Sequence, residues 1–181
     1  GQQHLTGKGS ILRTAIEAEK IPSLILWGPP GVGKTTIANI IAKTIRKPFF
    51  QLSAISAGVK DIRAVIEVAV SNKSAGRKTI LFIDEIHRFN KAQQDSLLSA
   101  VENGDITLIG ATTENPAFEV IPALRSRMRV FRLEALSEKN LEEILDYALK
   151  NDEILKKLQI KSIEKDFLIY LSGGDARTML N

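Results

Sequence analysis

Cysteine is absent from this 181-residue sequence, and histidine occurs only as His4 and His87. Disulfides are excluded, and a zinc site would have to be built mostly from carboxylates. Long apolar runs are missing too: nothing approaches the ~18 consecutive residues that a membrane helix needs. Residues 1–10 are polar and glycine-rich, without the apolar stretch of a secretory signal. These absences point to a cytoplasmic protein with no membrane partner. The chain opens on Gly1 and stops just past Met179–Leu180, so it reads as part of something longer.

Excess charge is small as well. Lys and Arg number 25 against 21 Asp and Glu, for a net charge of +4. That leans mildly towards polyanionic partners, and an ordinary solvated surface accounts for it equally well. With 44% hydrophobic and 25% charged residues, the composition is globular, with room for one full domain and part of a second.

What is present alternates in kind. Residues 23–27 (SLILW), 79–83 (TILFI) and 106–110 (ITLIG) are short apolar runs, as expected of parallel strands covered on both faces. Residues 48–53 and 128–133 are further strand candidates of mixed polarity. Between them lie helical periods, with Val59, Ile62, Val65, Ile66, Ala69 and Val70 on one face and Ala92, Leu97, Leu98 and Val101 on another. This predicts an α/β fold, a doubly wound parallel five-stranded sheet over residues 1–133. After Leu133 the strand signal stops. Ser137 is placed to cap a helix with Leu141, Ile144, Leu145, Ala148 and Leu149 on its apolar face. Helical stretches around 152–158 and 162–171 follow, ended by Gly173–Gly174. Residues 134–181 therefore read as the start of a small helical lid domain.

The segment from Gly28 through Pro29, Pro30, Gly31, Val32, Gly33, Lys34 and Thr35 fits G-x-x-x-x-G-K-[ST] at every fixed position. It lies between a strand signal and a helix signal, the setting that separates a phosphate-binding P-loop from a chance glycine turn. Glycines let backbone N–H groups approach a phosphate closely, and the helix N-terminus adds partial positive charge. Lys34 would reach the β- and γ-phosphates, and the Thr35 hydroxyl would ligate Mg²⁺. Thr36 continues the nucleotide-binding segment. Asp84 and Glu85 follow the apolar run ILFI, at the strand end where open α/β sheets bind ligands. Asp84 is the expected outer Mg²⁺ ligand and Glu85 the expected base on the attacking water. A guanine-reading Asn-Lys-x-Asp is missing, since residues 72–75 and 90–93 lack the aspartate; ATP is the expected nucleotide. Thr113 ends the third apolar strand, in hydrogen-bond range of a γ-phosphate or its attacking water, or as a simple turn cap. Arg125, Arg127 and Arg129 crowd together, a repulsion that an anionic partner would relieve. For Arg125 and Arg129 a solvated loop is the favoured reading. Arg177 lies in the helical region, where its charge suits folding over a nucleotide.

These residues resemble a known family. GPPGVGKT, FIDE, GATT, the Ser126-Arg127 pair and GGDAR occur in the order of AAA+ proteins of the clamp-loader clade. GQQHL, SAISAGVKDIR, DEIHRFNKAQQD and ATTENPAFEV resemble one branch, the replication-associated recombination ATPases, bacterial relatives of Werner-helicase-interacting protein. Met128 departs from clamp-loader subunits, which usually carry Cys there. The resemblance implies that Thr113 is the sensor-one residue, that Arg127 is an arginine finger serving the neighbouring subunit, and that Arg177 is the sensor-two arginine. It places Gly1–Leu5 near the adenine. It further implies a DNA-dependent ATPase at stalled forks or single-strand/double-strand junctions and a nucleoid-associated location. A tetramer formed through a C-terminal domain outside this chain, and the single-strand-binding protein as a partner, are implied too. A clamp-loader subunit, a Holliday-junction branch-migration motor and a non-hydrolysing ATP-dependent scaffold are the alternatives.

Overall fold

In the computed structural model, which describes residues 1–153, 155 and 164–181, five parallel strands run in the order β2-β3-β4-β1-β5. They are β1 (Leu24–Trp27), β2 (Phe49–Ser53), β3 (Thr79–Asp84), β4 (Ile106–Thr112) and β5 (Arg129–Arg132). The three wholly apolar runs form the centre of the sheet, and the two mixed runs form its edges. Their composition follows from position, because only central strands are buried on both faces. Alternation sorts each central strand between two cores. Leu24, Leu26, Ile80 and Phe82 face one side. Ile25, Leu81 and Ile83 face the other.

Helix α1 (Gln3–Thr6), α2 (Ile11–Glu17) and α3 (Lys34–Ile45) lie on the first side, where Leu5, Leu12, Ile37, Ala38, Ile41 and Ile45 enter the core. Helix α4 (Val59–Ser74) and α5 (Lys91–Glu102) cover the second. Two features of these helices depart from their sequence periods. Val70 is exposed, while Ile62, Val65 and Ala69 carry the buried face of α4. Ala92 is exposed too, and the buried face of α5 is Gln93, Gln94, Leu97 and Ala100.

The two glutamines are buried because the loops around α5 need partners. Gln93 forms a reciprocal cap with Asn90 and donates to the Ala57 carbonyl at 3.2 Å. Gln94, only 3% exposed, donates to the carbonyls of Phe89 (2.9 Å) and Glu119 (3.0 Å) and accepts from the Ile121 N–H (2.9 Å). It thereby anchors the loop bearing α6 (Pro116–Glu119) and α7 (Pro122–Arg125), just ahead of Arg127. Gln94→Leu leaves three backbone groups without this partner. A loss of ~2 kcal/mol is expected, and calorimetry should find the melting temperature ~4–8 °C lower.

Beyond β5, all described elements are helical: α8 (Glu138–Asn151), α9 (Lys165–Ser172) and α10 (Ala176–Leu180). Ser137 caps α8 by accepting the Asn140 N–H, and Leu141 and Leu145 are buried in the first core. The helical stretch expected around 152–158 lies largely outside the described residues. Gly173 and Gly174 take left-handed φ of 57° and 91°, ending α9, and Asp175 then caps α10 by accepting from Arg177 and Thr178. No helix among the described residues is long and apolar enough to cross a membrane.

Candidate nucleotide site

The carboxyl edge of the sheet carries the candidate chemistry. Strand β1 ends at Trp27, and the Gly28 N–H bonds the Thr112 carbonyl at the end of β4 (3.2 Å). A Cβ on Gly28 would press into the Leu133 carbonyl, at 2.5 Å, so this position admits only glycine without a backbone shift. Gly33 turns the chain into α3 with φ at 99°, a left-handed conformation that costs other residues energy. Lys34 opens that helix and is 8% exposed; its Nζ donates to the carbonyls of Gly28 (2.8 Å) and Pro29 (2.7 Å). Burial pushes its pKa below the ordinary lysine value, while the Glu85 and Asp84 carboxylates pull it back up.

A cavity of about 500 Å³ opens over this loop. Pro30, Gly31, Val32, Gly33, Lys34, Thr35 and Thr36 form its floor, and Asp84 and Glu85 one wall. Arg177 reaches it from α10, and Leu136, Ile144 and Leu180 give it an apolar side. Gly1, Gln2 and Thr6 close the remaining flank. Gln2 is held there by bonds to both sides of the Glu134 backbone, donating to its carbonyl (2.8 Å) and accepting from its N–H (3.1 Å). A larger hollow of about 850 Å³ lies at the opposite edge of the sheet, beside Lys20, Lys47, Lys78 and Arg129. It has neither a P-loop nor paired carboxylates, so the smaller cavity is the candidate for phosphate chemistry.

One cavity thus gathers the P-loop, both carboxylates and Arg177. Gly28 and Pro29 shape the loop and hold Lys34 without lining the cavity. Arg127 stands apart: its Nη2 lies 2.5 Å from Glu102 Oε1, and its Nη1 donates to the Ala123 carbonyl at 2.8 Å. Thr113 is half-buried and outside the lining, whereas its neighbour Thr112 is fully buried and lies 3.0 Å from His87 Nδ1. Thr112, Gln2 and the apolar side wall were not singled out by residue type; single polar or apolar residues carry no motif.

The donors present fit a hard divalent cation held jointly with a phosphate. Thr35 and Asp84 offer a hydroxyl and a carboxylate, the oxygen donors Mg²⁺ prefers, and two protein ligands are its usual complement at such sites. Among the described residues no group of three or more His, Cys, Asp and Glu is placed to hold an ion by itself.

Residues 24–137 match the family model described as ATPase family associated with various cellular activities, or AAA. The chain belongs to the AAA ATPase family. The match spans the whole sheet and the P-loop of this AAA chain. It is also 48% identical over 189 residues to the replication-associated recombination protein A of Escherichia coli K12, covering all of this chain and 41% of that protein. The ATPase WRNIP1 of Dictyostelium discoideum is 46% identical over 183 residues, covering 100% of this chain and 21% of that one. The chain therefore spans well under half the length of these curated relatives. Among solved structures, a mutant of Thermotoga maritima RuvB superposes with a TM-score of 0.80 at 31% identity, covering 99% of this chain and 60% of the other.

Proposed function

We propose that this AAA chain is the ATP-hydrolysing core of a DNA-dependent ATPase that acts in replication-associated recombination. The carrying observation is the single cavity that holds the P-loop, Asp84, Glu85 and Arg177. Residues 1–133 serve as the nucleotide-binding domain, and 134–181 as the beginning of its lid.

Phosphoryl transfer is catalysed mainly by positioning and by charge set against the transferring group. The P-loop amides and Lys34 bind the phosphates, and Arg177 covers them from the lid side. Bound Mg²⁺, held by Thr35 and Asp84, supplies charge neutralisation on the phosphate oxygens. Glu85 accepts the proton of the attacking water, and Thr113 orients that water or the γ-phosphate. Arg127 lines no part of its own subunit's cavity and acts on the site of a neighbour, so hydrolysis depends on assembly. Support for the recombination role comes from the 48% identity to the Escherichia coli protein. By the same resemblance the working assembly is a tetramer built through a C-terminal domain beyond this chain. Its partners are DNA with single-strand/double-strand junctions or stalled forks, and the single-strand-binding protein.

Steady-state ATP hydrolysis by the full-length protein tests this, with and without junction DNA. Strong stimulation by the junction is the expected result. Slow turnover that ignores DNA would point instead to a scaffold that binds ATP to set its shape. The likeness to the RuvB Holliday junction branch migration motor, at a TM-score of 0.72, favours a second reading as a junction motor. A preference for four-way junctions over gapped duplex would select it.

A further inference from the structure

Helix-like turn 86–88 puts His87 directly behind Glu85. Glu85 takes a left-handed backbone, φ 54° and ψ 47°, before the 3₁₀ turn Ile86–Arg88. A non-glycine residue in this region is strained, and such strain persists only where the surroundings enforce it. Ile86 enforces it here: it is fully buried and packs on Gly110 of β4, where an added Cβ would come within 3.0 Å of its side chain. The turn therefore holds the His87 ring at a set place, 9% exposed.

The ring's Nδ1 lies 3.0 Å from Thr112 Oγ1 and 3.2 Å from Glu85 Oε2. Glu85 Oε2 is buried and has no hydrogen-bond partner. Thr112 fixes which ring nitrogen carries the proton. Its hydroxyl donates to the Glu114 carbonyl (3.2 Å) and accepts from the Glu114 N–H (3.0 Å). A carbonyl only accepts, so the single hydroxyl proton is committed to it. Thr112 Oγ1 must then accept from His87, which puts the proton on Nδ1. A bare Nδ1 would set its lone pair against the Glu85 oxygen and remove the donor from the Glu114 carbonyl.

We propose that His87 is a positioning residue for hydrolysis, its Nδ1–H moving from Thr112 to Glu85 Oε2 so that Oε1 is left to take the proton of the water. The inference rests on reading Glu85 as the base. A small ring rotation suffices, because both acceptors already lie within 3.2 Å of the one nitrogen. In the reaction the water gives its proton to Oε1, its oxygen bonds the γ-phosphorus, and the bond to the bridging oxygen breaks, releasing ADP and phosphate. His87 gains and loses nothing. Thr112 joins this arrangement to the P-loop, since its carbonyl accepts the Gly28 N–H.

The test uses His87→Leu and His87→Asn in the full-length protein. His87→Leu should lower kcat ~10–100-fold, the usual loss when an orienting partner is removed. KM for ATP and affinity for a fluorescent ADP analogue should stay within ~2-fold, because the interaction serves the transition state and not binding. Asparagine places an amide nitrogen near Nδ1, so His87→Asn should recover most of the lost kcat. Independently, ¹⁵N NMR of histidine-labelled protein should show the His87 resonance, assigned by its loss in His87→Asn, with Nδ1 protonated and Nε2 bare. An unchanged kcat in His87→Leu, an asparagine variant as slow as the leucine one, or a ring protonated only at Nε2 would each overturn the proposal. If Glu85→Gln retains full turnover, the reading of Glu85 as base fails first. If Glu85→Gln is inactive while His87→Leu is normal, only the role of His87 fails.

Discussion

Glu85→Gln is expected to cut ATP turnover by ~10²–10⁴, the range for loss of a general base, while ATP remains bound. Glutamine keeps the size and the hydrogen-bonding reach of the side chain but cannot accept a proton at neutral pH. The groups placed to bind the phosphates, namely Lys34, Thr35 and the loop amides, are untouched by the change. Lys34 does lose one of the three carboxylates that raise its pKa, and Asp84 and Asp175 remain to support its charge. Binding therefore persists and turnover stops. Rapid-quench hydrolysis alongside equilibrium binding of a fluorescent ATP analogue separates the two quantities. Turnover close to wild type would transfer the base to another residue.

Arg127→Ala should lower turnover further, by ~10³–10⁵, the contribution of an arginine supplied in trans at phosphoryl-transfer sites. Its effect on nucleotide affinity should be small, because Arg127 does not line the cavity of its own chain. The side chain is held by the pair with Glu102, in which both partners are about 40% exposed, and by donation to the Ala123 carbonyl and the Ser126 hydroxyl. Exposed pairs of this kind are worth ~0–1 kcal/mol, so the pair with Glu102 by itself offers little resistance to the release that the proposed role in trans requires. Mixing decides whether it acts across a subunit boundary. Wild-type protein titrated with Arg127→Ala should lose activity faster than dilution predicts, since each variant subunit disables a neighbour's site. Activity that simply adds up would place the arginine's action within its own subunit.

Much of this was legible in the sequence, for a physical reason particular to each element. The central strands stood out because a parallel strand buried on both faces has to be apolar throughout, as 79–83 is. Edge strands β2 and β5 were weaker signals because each is only partly covered: no residue of either is fully buried, and Gln51, Arg129, Val130 and Arg132 are exposed. The P-loop was readable because close approach to a phosphate restricts residue type at fixed spacings. Helices α1, α6 and α7 were missed, being four residues each and too short for any apolar period to show. Gln93 and Gln94 defeated the periodicity of α5, since they are buried by hydrogen bonds to loops and not by hydrophobicity. The adjacent Thr112 and Thr113 illustrate the same limit. Pattern singled out the second, and the structure gives the first the bonds to His87 and Glu114.

The cavity draws its walls from Gly1 and Gln2 at one end of the chain and from Ala176, Arg177 and Leu180 at the other. During synthesis the sheet, P-loop and carboxylate pair are complete once residue 133 has been made. The lid wall arrives only ~2–10 s later at ordinary translation rates. A nascent chain therefore meets cellular ATP first with an open phosphate cradle. Gln2 waits for Glu134 before it has its partner. Full enclosure of the cavity therefore waits for Ala176, Arg177 and Leu180, long after the P-loop that forms its floor.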